Sequence, residues 1–324
     1  MATANPKPIL IIGAGELGTA VLSALATHPK RGDASLSPLS VLLRPSTIAS
    51  SDPSKQASNE RLRSLGAATL EPGDVGADSE EALAATFTRY HAVVVCAGMG
   101  FPPGTQLKIA RAAVLRAQVP RFVPWQWGID YDIVGQGSAQ DLFDEQLAVR
   151  NLLRGRPEAS ATTNWVIVSV GLFMSFLFHP GFGVVDLEAG VVRALGSWDT
   201  RVTVTDVGDI ARVAAEVVWD PRGGETRDTV VFAGGDTVTY GHVAELVGRR
   251  FVVGGTRWRR EEWSLDVLRR RLEENPDDGM VKYQNVFGEG RGVAWDLDGT
   301  INRRRGLEMT TVEMYLARME DLKA

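Results

Sequence analysis

The sequence is poorest in the residues that staple small or secreted proteins together. One cysteine, Cys96, stands among 324 residues, so no internal disulfide can form and the chain suits a reducing compartment. There are four histidines, and no pairing of histidine, cysteine and carboxylates has metal-ligand spacing, so no metal site is expected. Basic charge is not in excess: the net charge is −5, which removes any global pull toward nucleic acid or an anionic membrane. Long apolar runs are also missing. The most apolar stretch, Trp165 to Phe178, has 14 residues and is interrupted by Ser169, Gly171 and Ser175; a bilayer span needs about 20. The N-terminal MATANPKP is too short and polar for a secretory leader. Neither a fixed-period repeat nor a low-complexity linker is visible. A soluble, cytoplasmic protein is expected, with no nucleic-acid or membrane partner.

The apolar residues, 44% of the chain, fall in short alternating blocks. Ile9 to Ile12 is a continuous apolar run, the mark of a parallel strand buried on both faces. Leu17, Val21, Ala24 and Leu25 follow at helical spacing, and His28-Pro29 ends that helix. Further strands are expected at Leu39–Leu43, Ala67–Leu70, Val93–Val95, from Phe122, and at Trp165–Val170. Helices are expected between them, one opening at Asp78-x-x-Glu81, one over Gln106–Ala117, and one from a Ser138 cap to Arg154. The polar stretch Ser46–Glu60 reads as a mobile surface loop. Alternation of this kind implies an α/β fold with a doubly wound parallel sheet. The second half is less regular, with a strand at Val202–Thr205, a helix at Asp209–Val218, a strand at Val230–Phe232 and helices at Tyr240–Arg249, Ser264–Glu274 and Thr311–Met319. An arginine-rich tail (Arg257, Arg259, Arg260, Arg269, Arg270, Arg271, Arg303, Arg304, Arg305) is read as solvated, with Arg269 and Arg270 paired to Glu273 and Glu274.

Gly13-Ala14-Gly15-Glu16-Leu17-Gly18 is a G-x-G-x-x-G run that leaves a buried strand and opens a helix. In that context it is a dinucleotide loop: the glycines permit the turn, and the helix N-terminus faces the pyrophosphate. At the end of the second strand, where a carboxylate would hold the ribose hydroxyls of NAD, stands Arg44. A guanidinium there pairs with the 2′-phosphate of NADP. Asp74 is placed to border the adenine, and Ala97-Gly98 to leave room for the cofactor. Cys96 is read as a packing residue.

The segment RFVPWQWGIDYD, Arg121 to Asp132, lies just beyond the fifth strand. In an extended backbone Trp125 and Trp127 share a face, and at that end of a parallel strand the face borders a ligand crevice. Trp125, Gln126 and Trp127, with Phe173, Met174, Phe176 and Phe178 opposite, are expected to wall a large apolar pocket.

These stretches resemble the NmrA-like, isoflavone-reductase-like branch of the atypical short-chain dehydrogenases. GAGELG, the strand ending LLR, the helix QLKIARAAVLRAQVPRFVP and WGID carry the resemblance from about Ile9 to Phe178, and VTVTDVGDIA over 202–211 continues it loosely. The resemblance implies an NADP-binding Rossmann domain, expected over residues 1–170 and 200–235, and a smaller substrate domain over 171–199 and 236–324. It also implies a lysine within Phe-x-x-Lys-x-x-Ile-Arg, which binds the nicotinamide ribose and assists proton transfer. Here Phe143 and Arg150 match, but Gln146 stands in the lysine's place. Leu142, Gln146, Val149 and Leu153 form one helical stripe, so Gln146 points inward. An amide holds a ribose or substrate oxygen but delivers no proton near neutral pH. Tyr131, flanked by Asp130 and Asp132, and His179 are the remaining proton carriers. The expected activity is an NADP(H)-dependent oxidoreductase of secondary metabolism acting on a bulky apolar aromatic or alkaloid-like molecule, including hydride transfer coupled to a rearrangement. The alternative is a catalytically silent NADP(H)-binding redox regulator with a protein partner.

Overall fold

The computed structural model describes residues 7–155, 162–251 and 258–321; the leader expectation at the N-terminus and Arg257 fall outside them. The strands, in chain order, are β1 (Ile9–Ile12), β2 (Leu39–Leu43), β3 (Ala67–Pro72), β4 (Ala92–Val95), β5 (Arg121–Val123), β6 (Asn164–Ser169), β7 (Leu172–Phe173), β8 (Val185–Asp186), β9 (Val191–Leu195), β10 (Arg201–Thr205), β11 (Thr229–Phe232), β12 (Asp236–Thr239) and β13 (Arg259–Trp263). The chain separates into two compact units. The first holds the described residues up to 126 together with 148–168 and 210–231, and the second holds 127–147, 169–209 and 232 onward. Residues 127–147, expected in the first domain, thus cluster with the second unit.

In the first unit the continuous apolar runs form a seven-stranded sheet of order β11-β6-β5-β4-β1-β2-β3. β1 pairs in parallel with both β2 and β4, and β4–β5 and β5–β6 are parallel too. β1 and β4 show no exposed residue because helices cover both faces. Strand order reverses between β1 and β4, the topological switch point of a doubly wound sheet. In the second unit β10 lies between antiparallel β12 and parallel β7, and β9 lies between parallel β13 and antiparallel β8. Each unit has its own buried apolar cluster.

Several local expectations are corrected. Ser46–Glu60 is not a loop: short helix Pro45–Ile48 is followed by helix Pro53–Ser64. Asp52 starts the latter by accepting from the Ser54 and Lys55 amides, with Pro53 in the first turn. Ser79, not Asp78, caps helix Glu80–Phe87. The helix expected over 106–117 is α-helical only over Thr105–Arg111 and continues as a π-helix over Ala112–Arg116. Ser138 does not cap the long helix, which begins at Leu142. Arg269 pairs with Asp266 at 3.7 Å rather than with Glu273, and Arg271 lies over Trp263 at 4.2 Å.

Two buried phenols give the fold an alkaline limit. Burial, reinforced by the Glu71 carboxylate 2.7 Å from its hydroxyl, pushes Tyr90 up to about 12, and burial pushes Tyr283 up to about 12. A raised phenol resists ionisation in the native state, so its contribution is intact below the ordinary value of 10 and is lost as pH rises from 10 to 12. Each should remove about 2–3 kcal/mol of stability over that window. Urea unfolding at stepped alkaline pH checks this: Tyr90→Phe should recover one such share, and a wild-type-like alkaline slope in that variant would contradict it.

Candidate functional site

The three glycines of the dinucleotide loop have different jobs. Gly13 has φ +103°, and a Cβ on it would lie 2.5 Å from the Ala97 Cβ. A Cβ on Gly18 would lie 2.0 Å from the Gly13 carbonyl oxygen. These two let the loop fold down on Cys96-Ala97, which leave β4 on the other side of the switch point. Gly15 differs: φ is −75° and a Cβ would meet nothing within 4 Å. Gly15 is the N-cap of helix Glu16–Thr27, and no side chain caps that helix. By contrast Asp52, Ser79, Thr239, Ser264 and Asp278 each cap theirs. With no side-chain cap over Gly15, the positive end of the helix dipole of Glu16–Thr27 suits an anion arriving there. Leu17 is buried and contributes backbone only; Glu16 is exposed.

Arg44 ends β2 and Asp74 follows β3. Arg44 Nε lies 3.4 Å from Asp74 Oδ2. Asp74 is itself held, its Oδ1 accepting from the Gly76 amide at 3.0 Å and its own amide donating to Asp78 at 2.8 Å. The guanidinium is thus anchored through Nε on a largely exposed side chain. That is the arrangement a bidentate phosphate contact needs.

The paired-indole expectation changes. The Gln126 amide donates to the Pro124 carbonyl at 2.9 Å, so the backbone turns between the tryptophans instead of extending. Trp125 then packs in the first unit, against its buried apolar cluster. A Cβ on Gly98 would sit 2.0 Å from the Trp125 ring, so the room at Gly98 is taken by the indole. Trp127 is buried and belongs to the second unit. Gln126 is 1% exposed and accepts from Arg150 Nε at 2.9 Å, and Arg150 is fully buried. Gln126 is thereby a holder of a buried guanidinium. Cys96 is buried, and burial raises its thiol.

In the second unit a ladder of rings links the expected proton carriers. Tyr131 meets Phe143 at 5.1 Å between centroids, Phe143 meets Tyr283 at 5.4 Å, Tyr283 meets Phe176 at 5.9 Å, and Phe176 stacks on His179 at 5.6 Å. Tyr131 is 5% exposed, and a Cβ on Gly128 would lie 2.5 Å from its hydroxyl. His179 is exposed, and its Nδ1 accepts from the Gly181 amide at 3.1 Å. With Nδ1 accepting, a neutral ring carries its proton on Nε2. Phe178 leaves the ladder to stack on Tyr315 at 5.5 Å; Phe173 is half-buried in β7, and Met174 is fully buried in the core. Gln146 has no exposed surface, as the stripe with Val149 and Leu153 predicts. Tyr283 was not singled out from the sequence. The signal was Asp278, which caps helix Gly279–Glu289 and puts Tyr283 on its inner side. Among the described residues no group of three or more His, Cys, Asp or Glu could hold a metal, and no helix is long and apolar enough to cross a membrane.

No family model matches the chain. A curated protein of Gibberella moniliformis, described as an NmrA-like family domain-containing oxidoreductase, is 50% identical over 308 residues, covering 95% of this chain and 96% of its own length. Among solved structures, a crystal structure of isoflavone reductase superposes with a TM-score of 0.75 at 19% identity, covering 97% of this chain and all of that one. A structure described as AtPrR2 with NADP+ and (+)pinoresinol gives 0.74 at 18% identity, covering 97% and 99%. At such identities the shared property is the Rossmann-type fold.

Proposed function

Because the chain belongs to the NmrA-like family of oxidoreductases, we propose that it is an NADP(H)-dependent reductase or dehydrogenase of a bulky, apolar aromatic or alkaloid-like metabolite. The observation that carries the cofactor is the uncapped helix over Gly15, with the exposed, anchored Arg44 beyond the neighbouring strand. The NADP+ bound by AtPrR2 on the same fold supports it. Bound nicotinamide supplies hydride to, or takes it from, a carbon of the substrate. Arg44 holds the 2′-phosphate, the first turn after Gly15 holds the pyrophosphate, and Asp74 keeps Arg44 in place. The ring ladder of the second unit, with Phe173, takes the aromatic substrate; the neighbour described as AtPrR2 binds (+)pinoresinol. His179 acts as a neutral electrophile: its Nε2–H donates to the substrate oxygen on which charge develops as hydride arrives, and water then supplies the proton. Tyr131 braces the ladder, and Gln146, closed to solvent, is a positioning residue rather than a proton carrier.

Arg44→Glu should weaken NADPH binding about 100-fold while leaving NADH within about 3-fold, since it replaces an attraction to the 2′-phosphate by a repulsion. Fluorescence titration of both cofactors reads this directly. Equal losses for NADPH and NADH would remove Arg44 from the phosphate site.

One set of observations favours the second assignment, a cofactor-binding redox regulator: Trp125 fills the room at Gly98 and Gln146 has no accessible surface. NADPH consumption on a panel of aromatic ketones, enones and imines separates the two. Turnover of any member supports the enzyme. No turnover, together with a protein complex that forms with only one redox state of the cofactor, supports the regulator.

A further inference from the structure

The amino-terminal edge of the parallel sheet, opposite the glycine loop, holds a cavity of about 560 Å³. Its lining includes Lys7, Lys30, Arg31, His91, Arg121 and Arg227, and no carboxylate among the described residues. Acids outside the lining pair with some of these cations: Asp220 is bonded by Lys30 and by Arg222, and Asp228 lies 3.8 Å from Arg227. The floor is built rather than loose. Arg121, 6% exposed, donates to the Thr226 and Val217 carbonyls and to the Thr226 hydroxyl at 2.6–2.8 Å. Arg31 donates to the Ala26 and Ser37 carbonyls at 3.0–3.3 Å. Both contacts close helix ends or turns, and both use neutral acceptors. Helix closure does not account for Lys7, Arg227 and His91 converging on the same space.

Asn164, at the start of β6, adds a polar group to the wall, its Nδ2 turned toward the Pro120 carbonyl at 3.4 Å. Cations on rim and floor call for an anion.

We propose that this cavity is a second binding site, for a small polyanion such as a tricarboxylate or a sugar phosphate, separate from the dinucleotide loop. The volume is in the range of small-molecule sites, about 300–1,000 Å³. His91 supplies a local reporter. Its imidazole is held below the ordinary range by burial first and then by Lys7 and Arg121. An anion seated among those cations must raise it.

The test is NMR titration of the His91 ring in the full chain, with and without citrate, against chloride at equal ionic strength; His91→Gln assigns the resonance. Citrate should raise the His91 midpoint by about one unit more than chloride does. The surface pair Lys7→Gln/Arg227→Gln, which leaves Arg31, Arg121 and the helix closures intact, should weaken citrate about 10-fold. Inorganic pyrophosphate and a sugar phosphate, run in parallel, distinguish phosphate from carboxylate as the recognised group. A His91 midpoint that citrate moves no further than chloride, or a citrate affinity unchanged in the double variant, overturns the proposal. Because His91 lies at the edge opposite Gly15, anion binding at the glycine loop does not move this reporter.

Discussion

Gly15→Val should weaken NADPH binding by at least about 100-fold, or about 3 kcal/mol, and leave the melting temperature within about 4 °C of wild type. The backbone at Gly15 is already in a conformation open to any L-residue, and its Cβ would meet nothing within 4 Å. The substitution therefore costs the fold only the difference in N-cap preference, under about 1 kcal/mol. What it fills is the approach to the first-turn amides. Gly18→Val is the contrasting control. Its Cβ would lie 2.0 Å from the Gly13 carbonyl oxygen, a backbone atom that cannot step aside, so that variant should fail to fold or melt far lower. Calorimetric titration with thermal unfolding of both variants separates ligand from packing. Wild-type NADPH affinity in Gly15→Val would remove the pyrophosphate from this loop.

The second large effect is expected at His179. His179→Ala should lower kcat about 100- to 1,000-fold, the usual cost of one donor to a developing oxyanion, with NADPH affinity unchanged. His179→Gln keeps an N–H donor on a side chain of similar reach and should recover part of the loss. A residue that merely stacks on Phe176 would instead change the melting temperature in step with kcat, so thermal unfolding of both variants separates the two roles. If His179→Ala turns over at the wild-type rate, the substrate oxygen is held elsewhere, and Tyr283 at the centre of the ladder becomes the first residue to replace.

What could be read from the residues alone follows their physics. Runs such as Ile9–Ile12 and Val93–Val95 are buried on both faces of a parallel sheet, so their position, the turn after them and the Rossmann half were legible. Arg44 and Asp74, read separately, prove to be partners, because both stand at the carboxyl ends of adjacent strands. Helix Pro53–Ser64 was hidden by its polarity: only Asn59 and Leu62 are buried, so no apolar stripe marks it, and Asp52-Pro53 was the sole start signal. The tryptophan pair failed for a local reason. Alternation holds only while the backbone stays extended, and the bond from Gln126 to Pro124 breaks it after one residue. The strands β8, β9 and β13 were unreadable for other reasons: β8 has two residues, β9 (VVRAL) has no alternation, and β13 (RREEW) is almost entirely charged. The ring ladder joins residues 131, 143, 176, 179 and 283, and no sequence window contains them.

The single cysteine has a practical and a biological consequence. Cys96 is 8% exposed, and burial drives its thiol away from ionisation, so little thiolate is available to oxidants or alkylating agents. A cysteine introduced on the surface would be the one fast-reacting thiol of the chain, and a fluorophore placed on it would need no cysteine-free background. For the same reason peroxide finds no reactive thiol to switch in this protein. The oxidation state of a bound dinucleotide would be a redox signal that needs no thiol.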